Sequence, residues 1–299
     1  MPLNFKSSPS VALIALVAVT AIWGGTFLVV QDAVSRMPVM DFLAFRFALA
    51  SLVMVALRPR CLRAVSGRGF LQGVILGLVL GAGYIFQTYG LLYTSAAVSG
   101  FITGMFVVLT PVMGWVLLRR KTNLLTWLAV GLAVAGLALI SLRGWEIGIG
   151  ELLTLACAVC FALHIVGLGE WSPGRDVYTL TVLQLATVAA VCFFAALPGG
   201  ITPPPDAAAW AAVAVTAVMA TALAFLVQTW AQSIVPPTRA AVVMTMEPVF
   251  AGFFGVVVGG NVLTLRIGLG AVCVLAAMLM TELKPKFKLP RVASDTVEQ

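Results

Sequence analysis

Charge is what this sequence has least of. Only 10% of its 299 residues are Asp, Glu, Lys or Arg, while 61% are hydrophobic. A soluble domain carries about 25% charged residues, so this composition belongs to a polytopic membrane protein. The net charge of +7 is no nucleic-acid footprint, because the basic residues punctuate apolar runs instead of lining a groove. Histidine is scarcer still, with His164 the single example. A membrane-embedded enzyme needs paired carboxylates or histidines at metal-ligand spacing, and one histidine with one mid-span carboxylate does not supply them. No Walker A motif occurs, which argues against direct coupling to ATP. Nothing in the chain points to a cofactor or a metal. The five cysteines form no disulfide framework. Cys157 and Cys160 make a CxxC inside an apolar run, without βαβ context or a second pair, and read as helix packing.

What is present is a succession of long apolar runs bounded by charges. The uncharged run Ser7–Gln31 exceeds a signal-peptide core of ~7–15 residues and has no small-residue cleavage site, so it reads as a first membrane helix, Val11–Val30. Met40–Leu57 follows, with Arg46 inside it. From Gly69 to Leu118 no charge occurs for fifty residues, so two spans meet near Tyr93–Ser95. Leu124–Leu142, Leu152–Gly169, Val177–Leu197, Ala207–Ser233, Ala240–Val258 and Leu265–Leu283 complete ten expected helices. With the N-terminus in the cytoplasm, fourteen Lys and Arg fall inside and three (Arg36, Arg143, Arg266) outside, as the positive-inside rule requires. Gly73, Gly77 and Gly81 recur on one helical face, as do Gly100 with Gly104 and Gly255 with Gly259. Small residues at that spacing let membrane helices approach closely, either as plain packing or around a cavity that opens and closes.

The stretch from Arg239 to Gly260 is apolar except for Glu247, followed at once by Pro248. Eight residues into a helix, that carboxylate lies roughly 12 Å deep, near the middle of a hydrocarbon core of about 30 Å. A charge there is costly unless it faces a polar interior, so Glu247 is a functional candidate. The proline removes a backbone hydrogen bond and tends to kink the helix.

A weak internal repeat is also present. Tyr84-Ile-Phe-Gln87-Thr88-Tyr89 is echoed by Ala224-Phe-Leu-Val-Gln228-Thr229-Trp230. Each is followed by a span carrying x-Pro-Val, at Thr110-Pro111-Val112 and Glu247-Pro248-Val249. Five spans separate the partners, and an odd number inverts one half relative to the other. Inverted repeats are typical of secondary transporters, whose substrate site lies near the midplane where the halves meet. The expected units are residues 1–145 and 146–285, with a cytoplasmic tail at 286–299.

Five motifs in order carry a resemblance across the whole chain: Trp23-Gly24-Gly25-Thr26-Phe27, Phe45-Arg46-Phe47, Thr94-Ser95-Ala96, Thr110-Pro111-Val112 and Met246-Glu247-Pro248-Val249-Phe250. With them the chain resembles the ten-helix carriers of the drug/metabolite transporter superfamily, built from two EamA-type five-helix repeats, and in particular the YddG-like exporters of aromatic and other neutral amino acids. That resemblance implies an all-α bundle in the bacterial plasma membrane that exports small metabolites by alternating access, alone as a monomer. It departs from the family pattern at Gly260-Asn261-Val262, where Gly-Glu-Arg is common, and at Phe161, where a tryptophan is often seen.

Several residues have more than one reading. Glu247 is a proton-coupling carboxylate, a ligand for an amino group, or a helix anchor. His164 is a proton relay or a hydrogen-bonding core residue, facing the interior in either case. Tyr84 and Gln87 share a helical face and, with Gln228, suit a cavity wall, where Gln pairs with carboxylate or ammonium alike. Trp23 beside two glycines suits the same wall, and Met105 and Met244 offer adaptable apolar surface or ordinary packing. Arg46, five residues from Asp41, is expected near the outer surface, paired with Asp32 or Asp41 or serving as a gate latch. A phosphate-bearing cargo calls for Lys or Arg in the mid-membrane cavity. None is expected there, which favours uncharged or zwitterionic cargo.

Overall fold

The structure is a computed structural model, describing residues 8–63, 65–94, 96–141, 148–257 and 264–282. Lys6, Arg143, Ser95, Gly259, the Gly260-Asn261-Val262 segment and the tail at 286–299 lie outside them. Among the described residues the regular structure is all helical, without a strand. The helices are α1 (Pro9–Arg36), α2 (Val39–Leu57), α3 (Gly67–Gly90), α4 (Ala96–Gly104), α5 (Phe106–Leu118), α6 (Leu124–Ser141), α7 (Ile149–Trp171), α8 (Val177–Ala196), α9 (Ala207–Ala217), α10 (Ala224–Gln232), α11 (Pro237–Met244), α12 (Met246–Val257) and α13 (Leu265–Glu282). A π-helical turn, Val218–Leu223, joins α9 to α10.

By length and composition six stretches can cross a membrane: Pro9–Arg36, Val39–Leu57, Gly67–Gly90, Ile149–Trp171, Val177–Gly199 and Ala207–Gln232. Ile102–Leu118, Leu124–Leu139 and Gly268–Ala277 are shorter and apolar. Sequence boundaries and helix ends agree closely except in α1, which runs through Asp32 to Arg36 because nothing before Pro38 interrupts it. Several starts are marked by oxygen-bearing caps, which satisfy amides the helix leaves free. Ser66 accepts from Gly69 N at 3.1 Å, Asp176 from Tyr178 N at 3.1 Å and Asp206 from Ala209 N at 2.7 Å.

The expected fourth and ninth spans are each broken. One breaks at Met105, upstream of Pro111, and the other at Thr245, upstream of Pro248. A proline has no N–H for the carbonyl four residues back, and its ring crowds that carbonyl. For Pro248 that carbonyl belongs to Met244, where α11 stops.

Contacts run mainly between the first and second halves of the chain. α2 packs on α8, and α6 on α13. Other extensive pairs fall into exchanged couples: α3 on α7 with α1 on α10, α3 on α8 with α2 on α9, and α4 and α5 on α7 with α11 and α12 on α1. Glycines allow the closest approaches. A Cβ on Gly73 or Gly77 would stand 2.6 Å from Leu183 or Thr187 Cβ, so the sequence stripe on α3 lies against α8. Large apolar side chains such as Ile14, Phe70, Leu128, Phe194 and Leu269 cover the outside, as lipid-facing helices require.

Ion pairs tie the connections together at each end. At one end Arg58 meets Asp176 at 2.8 Å and Arg120 meets Glu170 at 2.7 Å. Gly169 there lies against Pro237. Arg60, Arg63, Arg119, Lys121 and Arg175 sit on the connections of this basic end. At the other end Arg36 pairs with Asp32 and reaches Asp206 at 3.0 Å, and Thr94 donates to Glu151.

Candidate functional site

Between the two halves lies a cavity of about 70 Å3, room for a few water molecules. It extends from the middle of the bundle to Leu91, just past the end of α3, and so points toward the end that holds Arg36 and Asp206. Six aromatic rings stand in its wall. Trp23 and Phe27 come from α1, Tyr84 from α3, Phe106 from α5, Phe161 from α7 and Phe225 from α10. Tyr84 is the hub, 5.4 Å from Phe161, 5.9 Å from Phe225 and 5.1 Å from Phe47, all edge-on. Trp23 leans on Phe225 at 5.6 Å. Edge-on rings at these separations pack favourably and hold one another's orientation.

Of the residues that the sequence nominates, Trp23, Tyr84, Gln87, His164, Gln228, Met244 and Glu247 all line this cavity. Met105 does not; it occupies the break between α4 and α5. Pro248 is buried behind Glu247 and stays off the wall.

Arg46 overturns its expectation. It is 3% exposed and lines the cavity instead of snorkelling outward. Its Nε donates to Thr221 Oγ1 at 2.7 Å and its Nη2 reaches Ala220 O at 3.5 Å. Its Cζ stands 5.0 Å over the Tyr84 ring and 5.5 Å over Phe47, a cation–π geometry. It pairs with neither acid proposed for it: Asp32 is held by Arg36, and Asp41 Oδ1 is buried without a hydrogen bond. Its distance from Asp41 misleads, because depth is set by the helix start. Arg46 is the eighth residue of α2, about 10 Å along the axis. A guanidinium therefore does stand in the mid-membrane cavity, contrary to the sequence reading.

Glu247 faces the same cavity and forms no ion pair with Arg46 or with any other described residue. Its position is set by backbone packing: an added Cβ on Gly24 would stand 2.7 Å from Glu247 O and from Ala251 N. Only glycine lets α1 approach α12 that closely.

Two glutamine relays fix the polar groups around the cavity. Gln184 Nε2 donates to Leu180 O at 3.1 Å, which turns its Oε1 to His164 Nε2 at 2.6 Å. A carbonyl only accepts, so the amide orientation follows and His164 donates through Nε2. Gln232 Nε2 donates to Ile165 O at 2.8 Å and its Oε1 accepts from Gln228 Nε2 at 3.0 Å. Gln87 Nε2 donates to Thr103 Oγ1 at 3.2 Å.

The π turn is the part that sequence reasoning missed. The Ala224 amide bonds Met219 O, five residues back, and passes over Ala220. Ala220 O accepts from Trp23 Nε1 at 2.9 Å and lies beside Arg46. π-bulges are found often at functional sites because they release such groups. The segment Val-Met-Ala-Thr-Ala-Leu has no proline or glycine to announce it. Gln184 and Gln232 were also overlooked, although a glutamine in an apolar span is a legible signal of an interior partner.

Comparisons with known proteins agree with this architecture. The EamA-like transporter family model matches residues 10–142 and again 148–283. An uncharacterized transporter of Archaeoglobus fulgidus is 30% identical, over 91% of this chain and 85% of its own. The uncharacterized transporter YetK of Bacillus subtilis is 26% identical, over 92% and 88%. A protein of known crystal structure superimposes with a TM-score of 0.76 at 16% identity, over 92% of this chain and 98% of that one, a likeness of fold alone. With two copies of its model covering nearly the whole sequence, the chain belongs to the EamA-like transporter family, a family of multi-pass membrane proteins.

Proposed function

We propose that this protein is a secondary transporter that exports neutral amino acids, above all aromatic ones, across the plasma membrane. The observation that carries the reading is the pairing of opposite charges across one aromatic cavity. Arg46 and Glu247 both face it and do not meet. A charge at this depth with no opposite charge beside it is costly, and a zwitterion supplies one for each. Its carboxylate satisfies the guanidinium, its ammonium group the carboxylate, and its side chain lies against Trp23, Tyr84, Phe161 and Phe225. The guanidinium alone would also suit an anion, but a phosphate ester would bring its charge beside Glu247.

The mechanism is alternating access by ten spans in two inverted five-helix units, residues 1–145 and 146–285. The two family-model matches and the exchanged couples of contacts support that division. By the positive-inside rule the end holding Arg58, Arg120 and Arg175 is cytoplasmic, as are both termini. The cavity then faces outward. The protein works as a monomer, since the cavity is enclosed by one chain.

The test is flux of radiolabelled phenylalanine in proteoliposomes, with and without a pH gradient, for the wild type and Glu247→Gln. Flux that follows the gradient only with Glu247 intact makes it the coupling group. Gradient-independent flux in both makes the carrier facilitative. No flux of any amino acid from folded protein refutes the substrate class.

A further inference from the structure

We propose that Gln228 Oε1 and the Glu247 carboxylate form an ammonium subsite on the cavity wall, and that Gln232 is the positioning residue that creates it. The inference deepens the reading above, on which it rests for the cavity as the cargo site. It starts from an orphan. Gln228 is 3% exposed, and its Oε1 is buried with no hydrogen-bond partner, although buried polar atoms are nearly always bonded.

The orphan cannot be removed by turning the amide over. Ile165 O accepts only, so Gln232 must offer it Nε2 and keep Oε1 for Gln228. Gln228 must then give Nε2 to Gln232. The group it has left unbonded is an acceptor, whatever the cargo, on a residue that lines the cavity. A glutamine free to rotate would greet carboxylate and ammonium alike, whereas this one greets donors. Glu247, on the wall of the same cavity, also only accepts when ionised. The guanidinium of Arg46 is the sole side-chain cation among the residues lining it. The cavity is thus chemically polarised, with two acceptors for a primary ammonium group and one cation for an anion. Cargo whose amine is acylated loses the charge and the donors that this subsite recognises.

The test is calorimetric binding of two probes of like size and opposite charge, phenethylamine and 3-phenylpropionate, to the purified full chain. In Gln228→Leu, phenethylamine weakens about tenfold, the effect of a lost hydrogen bond to a charged group, and phenylpropionate is unchanged. In Gln228→Glu, which keeps an acceptor, phenethylamine binds at least as well as to wild type. Gln232→Leu weakens phenethylamine less than Gln228→Leu does, because the freed amide still presents Oε1 part of the time. Equal weakening of both probes in Gln228→Leu, or no phenethylamine binding to wild type, overturns the subsite. If Gln228→Leu does not fold, Gln228→Glu decides: amine retained with acid weakened supports the subsite, and the reverse overturns it. Probe binding that depends on Gln228 in a protein that carries no amino acid leaves the subsite and removes the transport reading. Amino-acid flux with probe binding indifferent to Gln228 does the opposite.

Discussion

Arg46 holds its place through two kinds of contact that lysine cannot reproduce together. Its Nε bonds Thr221 while the flat guanidinium lies over Tyr84. Lysine has one compact charge and no planar fork. Arg46→Lys is therefore expected to lower phenylalanine flux about tenfold or more and to lower the unfolding midpoint as well, because the charge-assisted bond to Thr221 lies within the protein; flux assays and thermal unfolding check both halves. Trp23→Phe keeps an aromatic wall but loses the N–H that binds Ala220 O. It should cost about 1 kcal/mol in denaturant unfolding of the purified protein. Glu247, His164 and Gln228 were legible in the sequence because a polar group in an apolar run must face something other than lipid. Arg46 was not, because its depth was counted from Asp41 instead of from the start of α2. Nor was the choice between donor and acceptor at Gln228. That choice depends on Gln232 and on Ile165 O, which no local pattern brings together.

At the scale of the element, the helices themselves were largely written in the charge spacing, and their ends fall where capping residues or prolines stand. The break at Thr245 follows from proline chemistry, whereas the break at Met105 lies upstream of Val107, the residue whose carbonyl Pro111 crowds, and needed the structure. Close approach is a property of pairs of helices, and Gly24 shows its energetic weight. Gly24→Ala puts a Cβ 2.7 Å from backbone atoms of Glu247 and Ala251, which cannot swing aside as a side chain can. Overpacking of this kind typically costs about 1–3 kcal/mol and here also shifts the turn that presents Glu247. Gly114→Ala, with nothing within 4 Å of the new atom, is the matched control. Thermal unfolding and phenylalanine flux should fall together for Gly24→Ala and stay at wild-type values for Gly114→Ala.

For the whole molecule, each end carries a latch outside the apolar spans. Burial pushes the Asp176 carboxyl up, but the hydrogen bond and charge of Arg58, with Thr179, outweigh it and hold the group below its ordinary 3.8. The Ala209 amide, then Arg36 against some desolvation, hold Asp206 below the same value. A depressed carboxyl stabilises the fold fully above its unfolded value and loses that contribution as pH falls through the folded one. In unfolding scans, the stability difference between wild type and the double variant Asp176→Asn, Asp206→Asn should be largest above about pH 5 and shrink below about pH 4. A difference that does not change with pH would show that the pairs act through shape alone. Between these latches the two halves of the chain meet over a main-chain oxygen, Ala220 O, which receives Trp23 and lies within reach of Arg46. No side-chain substitution can delete that oxygen. An alanine scan through 218–223 can therefore record silence at a position that organises the cavity. The constraint there falls on chain length as well as on Thr221, whose hydroxyl holds Arg46: the exposed Val218, Met219 and Leu223 are free to drift, while the loss or gain of one residue would rotate the carbonyl out of register.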